Sequence, residues 1–162
     1  MKFCPQCGGA MVSRQIDGAA RDVCSASECA YVYWNNPIPV VAALVIYHDK
    51  ILLARNSRWP AGMFSLIAGY LEQGEAPEYA VVRELREELN LESQQQAFIG
   101  HYPLLANNQL IIAYALQAEG ELRLNHEIAE IKLLTRDQLA AAPFENLPLT
   151  AAVVNDWLRL SR

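Results

Sequence analysis

All four cysteines of this 162-residue chain lie near its start, as Cys4-Pro-Gln-Cys7-Gly-Gly and then Cys24 and Cys29, in a stretch with few large aliphatic residues. So little apolar material cannot bury a core of its own, so residues 1 to about 34 need another source of cohesion. The C-x2-C spacing lets one tight turn aim two sulfurs at a single tetrahedral ion, and the C-x4-C pair supplies two more. Two disulfides, a thioredoxin-like redox pair, or cysteines that merely pack are the alternatives. A redox pair is placed where a strand runs into a helix N-terminus, whereas here C-x2-C opens the chain. The N-terminus has no apolar leader and no apolar run reaches the length of a membrane span, so a cytoplasmic protein with reduced thiols and no membrane partner is expected. Cys4, Cys7, Cys24 and Cys29 are thus read as ligands of a structural Zn²⁺, with no position left open for catalysis.

After this segment "NNPIP" supplies turn and breaker chemistry, and β-like runs begin at Val40 ("VVAALVIY") and Lys50 ("KILLARNS"), joined by "HD" as a hairpin. "MFSLIAGY" reads as a third strand, followed by a helix from about Pro77 to Asn90 with Val81, Val82, Leu85 and Leu89 as its apolar stripe. "QAFIGHYP", "QLIIAYALQA" and "EIKLL" read as further strands, and residues 149–160 have helical spacing. The expectation is a mixed α/β domain over 35–162 behind a small metal-stapled module over 1–34.

The helix carries "RELREELN", in which Glu84, Glu87 and Glu88 stand three and four residues apart and project within one narrow arc. Like charges at that spacing destabilise a helix by a few tenths of a kcal/mol per pair, roughly. Hard divalent cations such as Mg²⁺ take oxygen ligands, and several carboxylates on one face can hold ions that also grip a phosphate chain, which cancels the repulsion. A solvated acidic face is the plain alternative.

Reading backwards adds Gly69, five residues, Glu75, seven residues, then Arg83-Glu84-Leu85-Arg86-Glu87-Glu88. This resembles the Nudix box, G-x5-E-x7-R-E-U-x-E-E-x-G-U with U aliphatic. Its six fixed Gly, Glu and Arg positions would recur by chance in a chain this long on the order of once in 10⁵. The one departure is Asn90 in place of the final Gly, at a helix C′ site where the left-handed conformation makes Asn the next-best residue. The resemblance implies a Nudix α/β/α sandwich with a mixed sheet. It also implies Mg²⁺ or Mn²⁺ held by Glu84, Glu87 and Glu88, the backbone carbonyl of Ala68, and Glu127 as the later acidic residue. Gly69, Glu75 and Arg83 belong to the same motif, Arg83 locking carboxylate rotamers by bidentate pairing.

A four-cysteine ribbon, the aromatic "YVYWNNP" and then the box is similar to the zinc-ribbon-containing NADH pyrophosphatase-like branch of that family. This implies cleavage of a nucleoside-diphosphate-linked substrate of NADH, ADP-ribose or FAD type into two monophosphates, and a homodimer. The branch's motif Ser-Gln-Pro-Trp-Pro-Phe-Pro is absent, and "HYPLLANNQ", His101 to Gln109, stands in its place. Among the aromatics that can stack on a base, Tyr31, Tyr33, Trp34, Trp59 and Tyr102, we expect Trp34 and Tyr102 to do so, with Arg55 or Arg58 meeting phosphate. The rival class is a zinc-ribbon adaptor that binds nucleic acid or protein beside an idle Nudix domain. A net charge of -5 and a pI near 5.2 oppose a nucleic-acid surface, so no nucleic-acid partner is expected.

Overall fold

A computed structural model of the chain describes residues 1–160. It divides into two compact units, Met1–Asn36 and Pro37–Arg162.

In the first unit, β1 (Met11–Ile16) and β2 (Ala19–Cys24) form an antiparallel hairpin, and β2 also pairs with the two-residue β3 (Val32–Tyr33). Asp17 and Gly18 turn the hairpin with φ of 50° and 79°, the left-handed pair that lets two residues reverse twisted strands. Its buried apolar residues, among those described, are Cys4, Val23 and Cys24, so two of the three are thiols.

The second unit is built on β4 (Ile38–Tyr47). That strand runs parallel to β8 (Gln109–Glu119) over its whole length, and β7 (Glu92–Leu104) pairs antiparallel with β8. The other edge of β4 is shared: Val45–Tyr47 pair with β5 (Lys50–Asn56), and Val40–Ala43 pair with β6 (Ile67–Tyr70). β9 (Ile128–Leu134) adds antiparallel to β5. Alternate β4 residues serve different layers, as period-two geometry requires. Val41, Ala43 and Val45 pack with Val81, Leu85 and Leu89 of α1 (Pro77–Leu89). Val40, Ala42 and Leu44 pack with Leu139 of α2 (Arg136–Ala140) and Val153, Val154 and Trp157 of α3 (Pro148–Leu160). The result is the α/β/α arrangement with a mixed sheet that the sequence led us to expect.

Three elements differ from the sequence reading. The third strand begins only at Ile67, because Ser65 bridges Ala54 of β5 before the chain crosses to β4, while Phe64 and Leu66 turn into the second core. β7 starts at Glu92, well before "QAFIGHYP", its polar first half lying on a sheet edge that needs no apolar alternation. The five-residue α2 went unread, although Thr135 and Gln138 close a reciprocal capping box at its start. No described helix is long and apolar enough to cross a membrane.

Candidate active site

The face of α1 decides which glutamates meet water. Its buried residues are Ala80, Val81, Leu85, Glu88 and Leu89, so Glu88 lies on the apolar stripe itself, Glu84 is half-buried beside it, and Glu87 is exposed. Helix periodicity thus turns three adjacent carboxylates into a gradient of burial.

Arg83 ties the motif together. Its guanidinium donates to both Glu75 oxygens, Nε to Oε1 at 2.9 Å and Nη2 to Oε2 at 3.0 Å. Nη1 donates to Glu84 Oε1 at 2.7 Å and Glu87 Oε2 at 3.1 Å, and Nη2 reaches the Tyr70 carbonyl at 3.0 Å. This bidentate bond holds the Glu75 carboxyl below its ordinary range. Burial pushes Glu84 the other way, above the ordinary range, even though Arg83 opposes the shift.

Glu88 has no such partner. It is 7% exposed, and no hydrogen bond or ion pair engages its carboxylate among the described residues. Burial first, then the charges of Glu84, Glu127 and Glu87, raise its pKa to about 8. A buried carboxylate among like charges with no cation beside it fits a hard divalent ion. The four cysteine sulfurs, by comparison, lie within 4.8 Å of one another. The carboxylates line a cleft, with Arg83 bonded to Glu84 and Glu87.

That cleft has a volume of about 600 Å³ and is lined by Glu84, Glu87 and Glu88 of α1, Ala68 and Gly69 of β6, and Glu127 just before β9. Glu130, close to Glu127 in sequence, instead pairs with Arg55 at 2.9 Å, as the β5–β9 register places them opposite each other. Gly69 matters through close approach: a Cβ there would lie 1.9 Å from the Glu84 carboxyl carbon. Gly69→Ala should therefore displace the Glu84 carboxyl by an ångström or more while leaving the fold intact, since only the end of a flexible side chain must move. We expect a loss of roughly 10²-fold in kcat at an unchanged circular dichroism spectrum.

The helix end takes the form expected of Asn90, with φ 56° and ψ 29°. Asn90 also donates from Nδ2 to the Glu121 carbonyl at 2.8 Å, and Asn125 N–H donates to the Glu88 carbonyl at 3.0 Å. The end of α1 is thereby fastened to the segment that delivers Glu127.

Cys4, Cys7, Cys24 and Cys29 are gathered in the first unit, with Sγ–Sγ separations of 3.7 Å for Cys4–Cys29 and 3.4 Å for Cys7–Cys24. All four are free thiols, and thiolates at tetrahedral-edge spacing suit Zn²⁺. Trp34, in the same unit, is 45% exposed with the Arg21 guanidinium 4.7 Å over its ring.

Of the expected substrate contacts in the second unit, neither Tyr102 nor Arg55 is among the residues lining the cleft. Tyr102 packs with the second core and donates its hydroxyl to Asp156 at 2.7 Å, outside the lining. Arg55 donates from Nε to Glu130 Oε1 and from Nη1 to the Trp59 carbonyl. Lining residues given no role from the sequence include Tyr70 and Gln109, which meet through Gln109 Nε2 and the Tyr70 hydroxyl at 3.1 Å, and the Ser65–Thr150 hydroxyl pair at 2.6 Å. The usable signal was the segment replacing the branch's specificity motif, since Leu104, Asn107 and Gln109 all face the cleft.

Residues 37–156 match the family model described as "NUDIX domain". The chain belongs to the Nudix hydrolase family. A Nudix hydrolase from Nitrosomonas europaea has the same fold, with a TM-score of 0.76 at 25% identity over 94% of this chain and 90% of that one. The "NAD-capped RNA hydrolase NudC" of Vibrio vulnificus is 32% identical over 141 residues, 86% of this chain and 52% of the relative. The human "NAD-capped RNA hydrolase NUDT12" is 32% identical over 148 residues, 85% of this chain and 32% of the relative. These relatives fit the NADH pyrophosphatase-like branch. The chain spans about half or less of the curated relatives it matches. Their name stands against the expectation of no nucleic-acid partner.

Proposed function

We propose that this Nudix hydrolase is a divalent-metal-dependent pyrophosphohydrolase that splits a nucleoside diphosphate linked to a second moiety, of NADH, ADP-ribose or FAD type, into two monophosphates. The observation that carries the reading is Glu88, a buried carboxylate without a cation partner, in one cleft with Glu84, Glu87 and Glu127. Glu84, Glu87, Glu88, Glu127 and the Ala68 carbonyl would hold Mg²⁺ or Mn²⁺. When bound, such ions polarise phosphate oxygens and lower the pKa of water.

The protein's own groups do the positioning. Arg83 fixes the rotamers of Glu75, Glu84 and Glu87, Gly69 leaves room for the Glu84 carboxyl, and the Leu85 stripe anchors the helix from below. The carboxylates share charge as one set, so the proton of the attacking water is taken by the group. The cysteines would hold one structural Zn²⁺, and a homodimer is the working assembly.

The relatives, NAD-capped RNA hydrolases by name, favour an NAD-type substrate and bring an NAD-capped RNA 5′ end into the same reading. Purified protein with Mg²⁺ or Mn²⁺ should convert at least one of NADH, ADP-ribose, FAD and an NAD-capped oligoribonucleotide into two monophosphate products resolved by chromatography. Cleavage of none of them would falsify the reading.

A further inference from the structure

Trp59 is a partly exposed aromatic outside both apolar cores. It lines the cleft that holds Glu84, Glu87 and Glu88, and it also borders a small pocket of about 70 Å³ that includes Glu88. The residue is 36% exposed, belongs to neither apolar core, and its indole N–H has no hydrogen-bond partner among the described residues. A buried Trp usually finds a partner for its N–H, whereas this partly exposed indole is open to solvent and to a ligand in the cleft.

Its backbone, by contrast, is held firmly. Trp59 N–H donates to the Asn56 carbonyl at 2.9 Å, and Arg58 N–H donates to Asn56 Oδ1 at 3.0 Å, closing the turn that follows β5. Arg55 Nη1 donates to the Trp59 carbonyl at 3.1 Å while its Nε is fixed by Glu130 at 2.9 Å. A flat ring is thus presented to the cleft on a clamped turn, beside a concentration of negative charge. An uncharged planar heterocycle can approach that ring where a second anionic group would be repelled, and base–aromatic stacking tolerates any base.

We propose that Trp59 is the surface on which the nucleobase of the substrate stacks, and that Arg55, with Glu130, is a positioning residue that holds Trp59 and not a phosphate contact. This rests on the nucleotide-linked reading above, but its test does not depend on turnover. Calorimetric titration of wild-type protein with 5′-AMP and with ribose 5-phosphate, which lacks the base, isolates what the ring contributes. Wild type should bind AMP roughly 5- to 100-fold more tightly.

Trp59→Ala should collapse that ratio to about two or less by weakening AMP alone, and Trp59→Phe should restore most of it. Arg55→Met should narrow the ratio in the same way, leaving ribose 5-phosphate binding unchanged. An unaltered ratio in Trp59→Ala, at a melting temperature close to wild type, overturns the stacking role, as does the absence of any preference in wild type. Equal weakening of both ligands by Arg55→Met makes Arg55 a phosphate contact and overturns its positioning role. Failure to hydrolyse any of the four compounds above would sink the proposed reaction while leaving this binding comparison to stand or fall separately.

Discussion

Glu88→Gln is expected to remove hydrolysis and, at the same time, to make the metal-free protein more stable at alkaline pH. The loss in kcat should be roughly 10²–10³-fold, the usual effect of deleting one group that stabilises developing charge. The stability gain follows from the sign of the pKa shift. The Glu88 carboxyl titrates at about 8 in the folded protein against an ordinary value near 4.5, so the folded state holds its proton more tightly than the unfolded one. Its contribution is fully present below the unfolded pKa and is lost as pH rises through about 8. Above that pH wild type carries a buried, unpaired charge whose cost is on the order of 3–5 kcal/mol, and Gln does not.

Melting curves in buffer without added divalent ions should therefore coincide near pH 4.5 and separate by roughly 6–20 °C near pH 9, with Gln the higher. Adding Mg²⁺ should raise the melting temperature of wild type and leave that of Glu88→Gln nearly unchanged. Chelators are unsuitable for this comparison because they would also strip the cysteines. Equal melting temperatures at pH 9 would mean that Glu88 is not under electrostatic stress.

The second large effect concerns the cysteines. Cys24 is 4% exposed and its Sγ stands 3.4 Å from that of Cys7. Structural zinc contributes folding free energy of roughly 10–16 kcal/mol in small domains with little core, and the first unit buries only Cys4, Val23 and Cys24 among its described apolar residues. Cys24→Ser should lower zinc from about one ion per chain to a small fraction and abolish amide exchange protection across Met11–Cys24. Protection at Leu44, Leu85 and Leu116, all fully buried in the second unit, should persist. Full zinc occupancy in Cys24→Ser would rule out the four-thiolate site.

The legible parts of the sequence were those governed by local spacing. The Arg83–Glu88 run is read from helix periodicity and the C-x2-C pair from the reach of a turn, whereas Gly69 and Glu75, which lie outside the helix, came from the resemblance to the Nudix box. What stayed illegible depends on the partner a residue meets across the fold. Tyr102 and Trp59 look alike as letters, yet one hydroxyl finds Asp156 on α3 while the indole of the other is left facing the cleft. The letters around Arg55 also gave no sign that β9 would set Glu130 opposite it. The polar start of β7 carried no strand signal because an edge strand has only one neighbour to satisfy.

Asn90 sits where the family pattern has glycine, and on backbone grounds alone it looks like a tolerated defect. Its side chain makes a bond that glycine cannot, to the Glu121 carbonyl at 2.8 Å, on the same stretch that carries Glu127. A consensus-guided engineer restoring glycine would relieve a strained φ and in doing so untie a side-chain tether between the end of the box helix and that loop. What reads as drift from the motif has become a local solution, and sequence averages are the wrong guide to improving it.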